Sequence, residues 1–236
     1  REIVLEEPKI EEMEVVFLMD RFGYAKTIDV TAYERNKEAA DSENRYVILC
    51  KNTDKIGIFT NLGQMHLLKV SDLPHGKFRD KGQPIDNVSN YNSSEENLIF
   101  VVSLMQMKEQ KLLFVTKTGM LKIVGGAEFD VAKRTTAATK LSSGDEVLLI
   151  GFYEEGQHLV LQSKKSMFLR LEASTIPEKK KGAVGVRGMK LSGEDELEAA
   201  YLMAPGESKK ILLKDKELEL NRLRIGNRDT KGVKRG

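Results

Sequence analysis

Lysine and arginine side chains, grouped in short loops, are the residues of this chain best placed to do chemistry. Four such loops, which we call connectors two to five, cover residues 76–85, 132–141, 179–191 and 226–234. Ammonium and guanidinium groups bind the phosphates of a nucleic-acid backbone without reading its sequence. Glycine and other small residues beside the cations should let the connector backbone approach another surface closely. Recurrence of this pattern in four loops predicts contact with nucleic acid.

Other kinds of active chemistry find little support in the sequence. The three histidines are scattered and lack cysteine or carboxylate neighbours at metal-ligand spacing. Gly125-Gly126 is not followed by the Lys-Ser/Thr of a phosphate-binding loop. The acidic groups Glu95-Glu96 and Glu194-Asp195-Glu196 lie in polar loops, where we expect solvated turns rather than catalytic pairs. We therefore predict no catalytic residue, no metal site and no cofactor in this chain.

A repeated hairpin positions the connectors. Five times an apolar strand enters a two-residue turn, often containing glycine, and leaves as a second strand. The turns fall at intervals of 40, 56, 47 and 50 residues. A hairpin repeat of this length is typical of propeller-like arrays, in which no unit can bury its apolar face alone. The predicted turns are Phe22-Gly23, Leu62-Gly63, Thr118-Gly119, Lys165-Ser166 and Asp215-Lys216.

Further apolar strands are predicted at the start of each unit, and helical periodicity is nearly absent. Thr31–Ala40 is the one plausible short helix, and a loop is an equal alternative for this segment. The predicted unit-opening strands are Val15–Met19, Tyr46–Cys50, Leu98–Leu104, Val147–Phe152 and Leu197–Met203. The sequence therefore indicates an all-β fold of about five four-stranded blades.

Composition bears on the cellular compartment and the domain organisation of the chain. The chain has 236 residues, 40% of them hydrophobic, and no apolar run long enough to span a bilayer. Its single cysteine, Cys50, lies in an apolar strand and is expected to be a buried, inert thiol in a cytoplasmic protein. Residues 1–14 are acidic and are predicted to be a linker that precedes the β domain at 15–236. We expect the chain to be part of a larger polypeptide and, in isolation, a monomer.

Four sequence segments carry a family resemblance. They are Arg21–Lys26, Lys69–Pro74, Gly185–Leu191 and Arg228–Val233. In order and spacing they resemble the C-terminal domain of the A subunit of bacterial type IIA DNA topoisomerases, meaning DNA gyrase and topoisomerase IV. The resemblance covers about residues 13–236.

This resemblance implies a β-pinwheel, a propeller-like disc whose blades exchange strands with their neighbours. Its basic rim would bend duplex DNA and guide it to the strand-passage core of an ATP-dependent, nucleoid-associated enzyme. The partners implied are that catalytic core and the B subunit, with no membrane. The family's active-site tyrosine belongs to the preceding part of the polypeptide, so no tyrosine here is expected to be catalytic.

The first connector, residues 33–45, departs from the gyrase pattern. Gyrase A subunits carry a box close to Gln-Arg-Arg-Gly-Gly-Lys-Gly here, whereas this connector has three cations, four acids and no glycine. Because gyrase depends on that box to wrap DNA with positive handedness, the departure favours topoisomerase IV. Gyrase remains an alternative, and so does a propeller scaffold that binds an acidic protein partner.

The predicted DNA contacts all lie in connectors two to five and point to phosphates. With no tryptophan and 6% aromatic residues, the chain favours duplex over single-stranded DNA. Strand cations such as Lys26, Lys69, Lys122 and Arg170 are weaker candidates, because exposed strand positions are commonly charged for solubility. The predicted contacts are Lys77, Arg79, Lys81, Lys133, Arg134, Lys140, Lys179, Lys180, Lys181, Arg187, Arg228, Lys231 and Lys234.

Overall fold

Five β-hairpins form the frame of the protein. The computed structural model describes residues 2–5 and 9–236. The hairpins are β1 (Glu14–Asp20) with β2 (Tyr24–Asp29), β4 (Lys55–Thr60) with β5 (Gln64–Lys69), β9 (Lys111–Thr116) with β10 (Met120–Gly125), β13 (His158–Ser163) with β14 (Met167–Glu172), and β17 (Lys210–Leu213) with β18 (Lys216–Glu219).

The first four hairpins share one turn. The predicted two-residue turns are wrong here, because three residues separate the paired strands. The third of these residues has a left-handed backbone: φ is 85° at Gly23 and 63° at Ser166. This is the three-residue hairpin loop that ends in a left-handed residue, which explains the glycine in three of the four turns. The fifth turn is Lys214-Asp215, one residue before the predicted Asp215-Lys216. Both of its residues have positive φ, as a two-residue type I′ turn requires. Lys216 is already paired in β18.

Each of the first four hairpins gains strands from the next unit. On one side the first strand of the hairpin pairs with a unit-opening strand: β3 (Asn44–Lys51), β8 (Leu98–Ser103), β12 (Val147–Phe152) and β16 (Leu197–Met203). On the other side the second strand pairs with short strands from the next unit: β6 (His75–Gly76), β7 (Gln83–Pro84), β11 (Thr135–Ala137), β15 (Val186–Arg187) and β19 (Val233–Lys234).

This exchange confirms the all-β pinwheel prediction. Four sheets are completed by strands of the following unit, and the first of them has five strands because β6 and β7 both join β2. Within the described residues the fifth hairpin pairs only with itself. The short strands β6, β7, β11, β15 and β19 are called swapped strands below.

The hydrophobic core lies between consecutive sheets. Phe17 of the first sheet shares a cluster with Ile58 of the second, while Phe59, on the opposite face of that strand, packs with Phe114 of the third. Alternate residues of one strand therefore enter two different clusters, as the two-residue period of a strand requires. This arrangement explains why the hairpin arms are apolar on both faces.

Helices are few and short. They are α1 (Val30–Arg35), α2 (Lys37–Glu43), α3 (Ile85–Val88) and α4 (Leu104–Met107), and the first two cover the predicted helix at 31–40. Among the described residues, no helix is long and apolar enough to cross a lipid bilayer. Before β1, the backbone at Glu11 and Met13 hydrogen-bonds to Asn52, so the end of the acidic segment is held against the turn after β3.

Candidate nucleic-acid interface

Every predicted DNA contact lies on or beside a swapped strand. Arg187 is in β15 and Lys234 is in β19, and the other cations lie in the loops that lead into or out of these strands. Since each swapped strand pairs with the second strand of its hairpin, the topology brings all four connectors to equivalent edges of four sheets. The connectors thus lie at corresponding places in the four sheets.

Glycines allow the connectors to reach these edges. A Cβ on Gly185 would lie 2.4 Å from the carbonyl oxygen of Leu121, and one on Gly232 would lie 2.2 Å from that of Phe168. Gly82 takes the same position against β2. Each of these glycines immediately precedes a swapped strand. The connector backbone was expected to approach another surface closely. That surface is the hairpin with which the swapped strand pairs.

Hydrogen bonds join each connector to the next. Directly after connector two, the carbonyl of Val88 in α3 accepts a bond of 3.3 Å from Arg134 Nη2 in connector three. The amide of Lys140, also in connector three, donates to the carbonyl of Ala183 in connector four at 3.4 Å. Connector three is thus linked directly to connector four, and to connector two through α3, which begins at the last residue of connector two.

The series continues from connector four to connector five. The amide of Lys190 donates to the carbonyl of Thr230 at 2.8 Å, and Arg187 forms an ion pair with Asp229 at 3.2 Å. Both charged partners in that pair are more than half exposed, so screening by water keeps its contribution to stability small. The four connectors are thus one hydrogen-bonded belt, which we call the connector belt.

Most of the predicted cations face solvent. Ten of the thirteen are exposed, while Lys179, Lys181 and Arg228 are half-buried. Arg187 is the one member of the set with a carboxylate partner within 4.0 Å. The Nζ of Lys181 donates to the Glu128 carbonyl at 3.2 Å, and Arg228 Nε donates to the Thr175 carbonyl at 3.0 Å. The belt therefore presents cations that are largely free of acidic neighbours.

Lys122 was expected to be an exposed strand cation, and the structure corrects this. Its side chain is 1% exposed, and its Nζ donates to the carbonyls of Lys180, Lys181 and Ala183 at 3.0, 3.1 and 2.8 Å. Burial lowers the pKa of Lys122 to about 8, opposed by the nearby Glu128 carboxylate. Lys122 thus holds connector four from beneath and is unavailable to a phosphate.

Two other strand cations are also occupied inside the protein. Lys26 Nζ donates to the carbonyls of Phe78 and Asp80 in connector two, and burial lowers its pKa. Arg170 Nη1 donates to the carbonyl of Leu223 at 3.0 Å. Lys69 alone among these four weaker candidates is exposed. The sequence shows the charges of Lys26, Lys122 and Arg170. It does not show which carbonyl oxygens, some 50 to 60 residues away, accept their hydrogen bonds.

Glu96 was expected in a solvated turn but is buried. Its carboxylate lies 3.0 Å from His66 Nε2 and accepts a hydrogen bond of 2.9 Å from the Thr60 hydroxyl. The other ring nitrogen of His66 lies 2.8 Å from the Thr135 hydroxyl in β11. Across residues 2–5 and 9–236, no three potential metal ligands converge. The His66–Glu96 pair is a buried polar contact between β5 and the loop before β8. The contact of His66 with Thr135 ties β5 to connector three.

The first connector is helical, and Cys50 is buried. The first connector folds as α1 and α2, and its buried Ala40 packs with Val16, Leu18 and Phe78. Its seven charged side chains are exposed. Cys50 is buried, as expected, and burial raises the pKa of its thiol to about 12. At neutral pH this thiol is therefore protonated and unreactive.

Comparison with known proteins matches the chain to one family of domains. The family described as "DNA gyrase C-terminal domain, beta-propeller" matches residues 110–150 and 157–202. The DNA gyrase A subunit of Lawsonia intracellularis is 26% identical over 209 residues, covering 84% of this chain and 25% of that protein. Its counterpart in Neisseria gonorrhoeae is 31% identical over 164 residues, covering 65% of this chain and 18% of that protein. This chain thus spans a quarter or less of either relative.

Solved structures share the fold over nearly the whole chain. The C-terminal domain of a DNA topoisomerase IV superimposes with a TM-score of 0.84 at 20% identity, covering 95% of this chain and 73% of that one. A DNA gyrase A C-terminal domain gives 0.61 at 16% identity, covering 94% and 76%. Sequence similarity thus points to gyrase A subunits, while the higher of these two TM-scores belongs to topoisomerase IV.

Proposed function

Because this chain is a C-terminal β-pinwheel domain of the type IIA topoisomerase A-subunit family, we propose that its connector belt binds and bends duplex DNA. The observation that carries this proposal is the hydrogen-bonded series of four connectors with exposed cations along it. Binding would use phosphate contacts, which fix the path of the duplex without reading its sequence.

The energetics favour several contacts acting together. Bending 20–30 base pairs costs on the order of 1–6 kcal/mol, so one exposed lysine cannot hold a curved duplex. Each neutralised phosphate releases condensed counterions and steepens the salt dependence by about 0.9 in log–log slope. A belt with thirteen candidate cations spread over four sheets offers enough contacts to offset the bending energy.

In the full enzyme we propose that this domain guides a duplex segment to the strand-passage core, as in topoisomerase IV. The helical first connector, which has more acids than cations, supports this assignment because it offers no basic box for a chiral wrap. Acidic residues 1–14 would link the domain to that core, and the catalytic chemistry would belong to the core and the B subunit. The alternative is a gyrase domain that wraps DNA, which the sequence similarity to gyrase A subunits supports.

Salt-dependent binding tests the proposal. Mobility-shift titrations of the purified chain with a duplex of about 40 base pairs, at several salt concentrations, should give a steep linear fall of log affinity with log salt. Polyglutamate at matched charge serves as the control ligand. Equal binding of both polymers would support an acidic-partner scaffold instead, and absence of DNA binding at low salt would refute the proposal.

Ligation of nicked plasmid separates the two enzyme assignments. The protein is bound to the plasmid, the nick is sealed, the protein is removed, and linking number is read on a gel. Binding without a shift in linking number is the result expected for topoisomerase IV-like bending. A shift toward positive supercoils would mean a chiral wrap and would assign the domain to gyrase.

A further inference from the structure

One strand position contacts the swapped connector in three of the four complete sheets. It is the third residue after the left-handed turn residue, occupied by Lys26, His66 and Lys122 in the first three sheets. Lys26 bonds connector two, His66 contacts Thr135 in connector three, and Lys122 bonds connector four. A polar, basic side chain thus meets a basic connector from the sheet side three times.

The fourth sheet has an apolar residue at this position. Leu169 is 4% exposed, and its Cδ1 would lie 2.9 Å from a Cβ on Gly226 of connector five. Connector five therefore rests on a leucine side chain where the others are met by a polar group. This difference provides an internal reference within one molecule.

The contacts of Lys122 place its charge among backbone oxygens. Three carbonyl oxygens within 3.1 Å match the three protons of an ammonium group, so each carbonyl receives one donor. Two of these carbonyls belong to Lys180 and Lys181, whose side chains are predicted to contact DNA. Holding the backbone of this segment inward leaves the Lys180 side chain exposed.

We propose that Lys26, His66 and Lys122 are positioning residues that hold connectors two, three and four in the conformation that presents their cations to DNA. The effect of these residues on DNA affinity rests on the proposed function. Their effect on connector conformation can be tested without DNA. Lys122 acts on connector four and Lys26 on connector two, so each substitution should affect one connector only.

Limited trypsin digestion without DNA tests the holding, because trypsin cleaves after lysine and arginine. The variant K122M keeps a long apolar side chain but removes all three donors, so Lys179–Lys181 should be cleaved about tenfold faster or more. K26M should instead accelerate cleavage at Lys77, Arg79 and Lys81. Unchanged cleavage at 179–181 in K122M, or equal acceleration of both connectors in either variant, would overturn the proposal.

Salt-dependent DNA binding by K122M tests the consequence. No exposed charge is removed, yet up to three phosphate contacts should be lost, lowering the log–log salt slope by between about 0.9 and 2.7. An unchanged slope together with faster trypsin cleavage would refute the positioning role of Lys122. Failure of the unsubstituted chain to bind DNA would refute the proposed function and leave the trypsin result intact.

A pH profile distinguishes a charged anchor from simple packing. The charged groups that face Lys122 are Glu128 and Lys179, while Lys181 Nζ donates to the carbonyl of Glu128. With a lowered pKa of about 8, Lys122 is protonated at pH 7 and roughly nine-tenths neutral at pH 9, when it loses one of its three donors.

The measured quantity is the ratio of trypsin cleavage in connector four to cleavage at Arg228 and Lys231 in connector five. This ratio cancels the pH dependence of trypsin itself. It should rise severalfold from pH 7 to pH 9 in the unsubstituted chain and stay constant in K122M. A constant ratio in both would show that the charge of Lys122 does not hold the connector.

Discussion

The first connector and connector four occupy corresponding places in their units and differ in both charge and conformation. The first folds as α1 and α2, with seven exposed charged residues of mixed sign. Connector four is non-helical, carries five cations and no acid, and enters the third sheet through β15. The two connectors thus differ in what holds the backbone of the loop. In connector four a swapped strand and a buried lysine supply that support.

The largest effect should come from removing the charges of connector four. Changing Lys179, Lys180 and Lys181 together to alanine should lower the log–log salt slope of DNA binding by up to about 2.7 and weaken binding at every salt concentration. The matched control changes Arg35, Lys37 and Arg45 of the first connector to alanine and should leave the slope unchanged. Equal effects of the two triple variants would remove the distinction between these connectors.

A smaller effect is expected from loosening the swapped strand. G185A would place a Cβ 2.4 Å from the Leu121 carbonyl oxygen, so β15 must shift, at a cost of about 1–3 kcal/mol in unfolding free energy. Gly182, in the same connector, has no atom within 4 Å of the position a Cβ would take and no positive φ, so G182A should be nearly neutral. Chemical denaturation of both variants measures the difference, and equal stabilities would contradict the close approach assigned to Gly185.

The smallest effect concerns the acids of the first connector. Changing Glu34, Glu38 and Glu43 to glutamine raises its formal charge by three while leaving the Tyr33–Asp41 hydrogen bond intact. Because exposed charges act over a Debye length of about 10 Å at 0.1 M salt, DNA affinity should rise no more than about threefold, and only at low salt. A larger rise that persists at high salt would mean that this connector contacts the duplex directly.

The sequence predicted the elements of the fold better than the partners of its charges. Alternation of apolar residues and the turn glycines located the first four hairpins, because both signals are local. Burial of Lys122 could not be predicted, since a charged strand residue is usually exposed and its carbonyl partners lie about 60 residues away. The same holds for Glu96, whose partner His66 is 30 residues distant. The predicted DNA contacts do lie together on one belt, and their contact with DNA stays a prediction.

Energy transfer between dyes at the two ends of a duplex of about 40 base pairs tests the central claim most directly. Binding of the domain should bring the ends closer, and transfer should increase at saturating protein. The variant with Lys179, Lys180 and Lys181 changed to alanine should give a smaller increase at its own saturation, because the belt then holds a shorter arc. Saturable binding with unchanged transfer would contradict a belt that bends DNA.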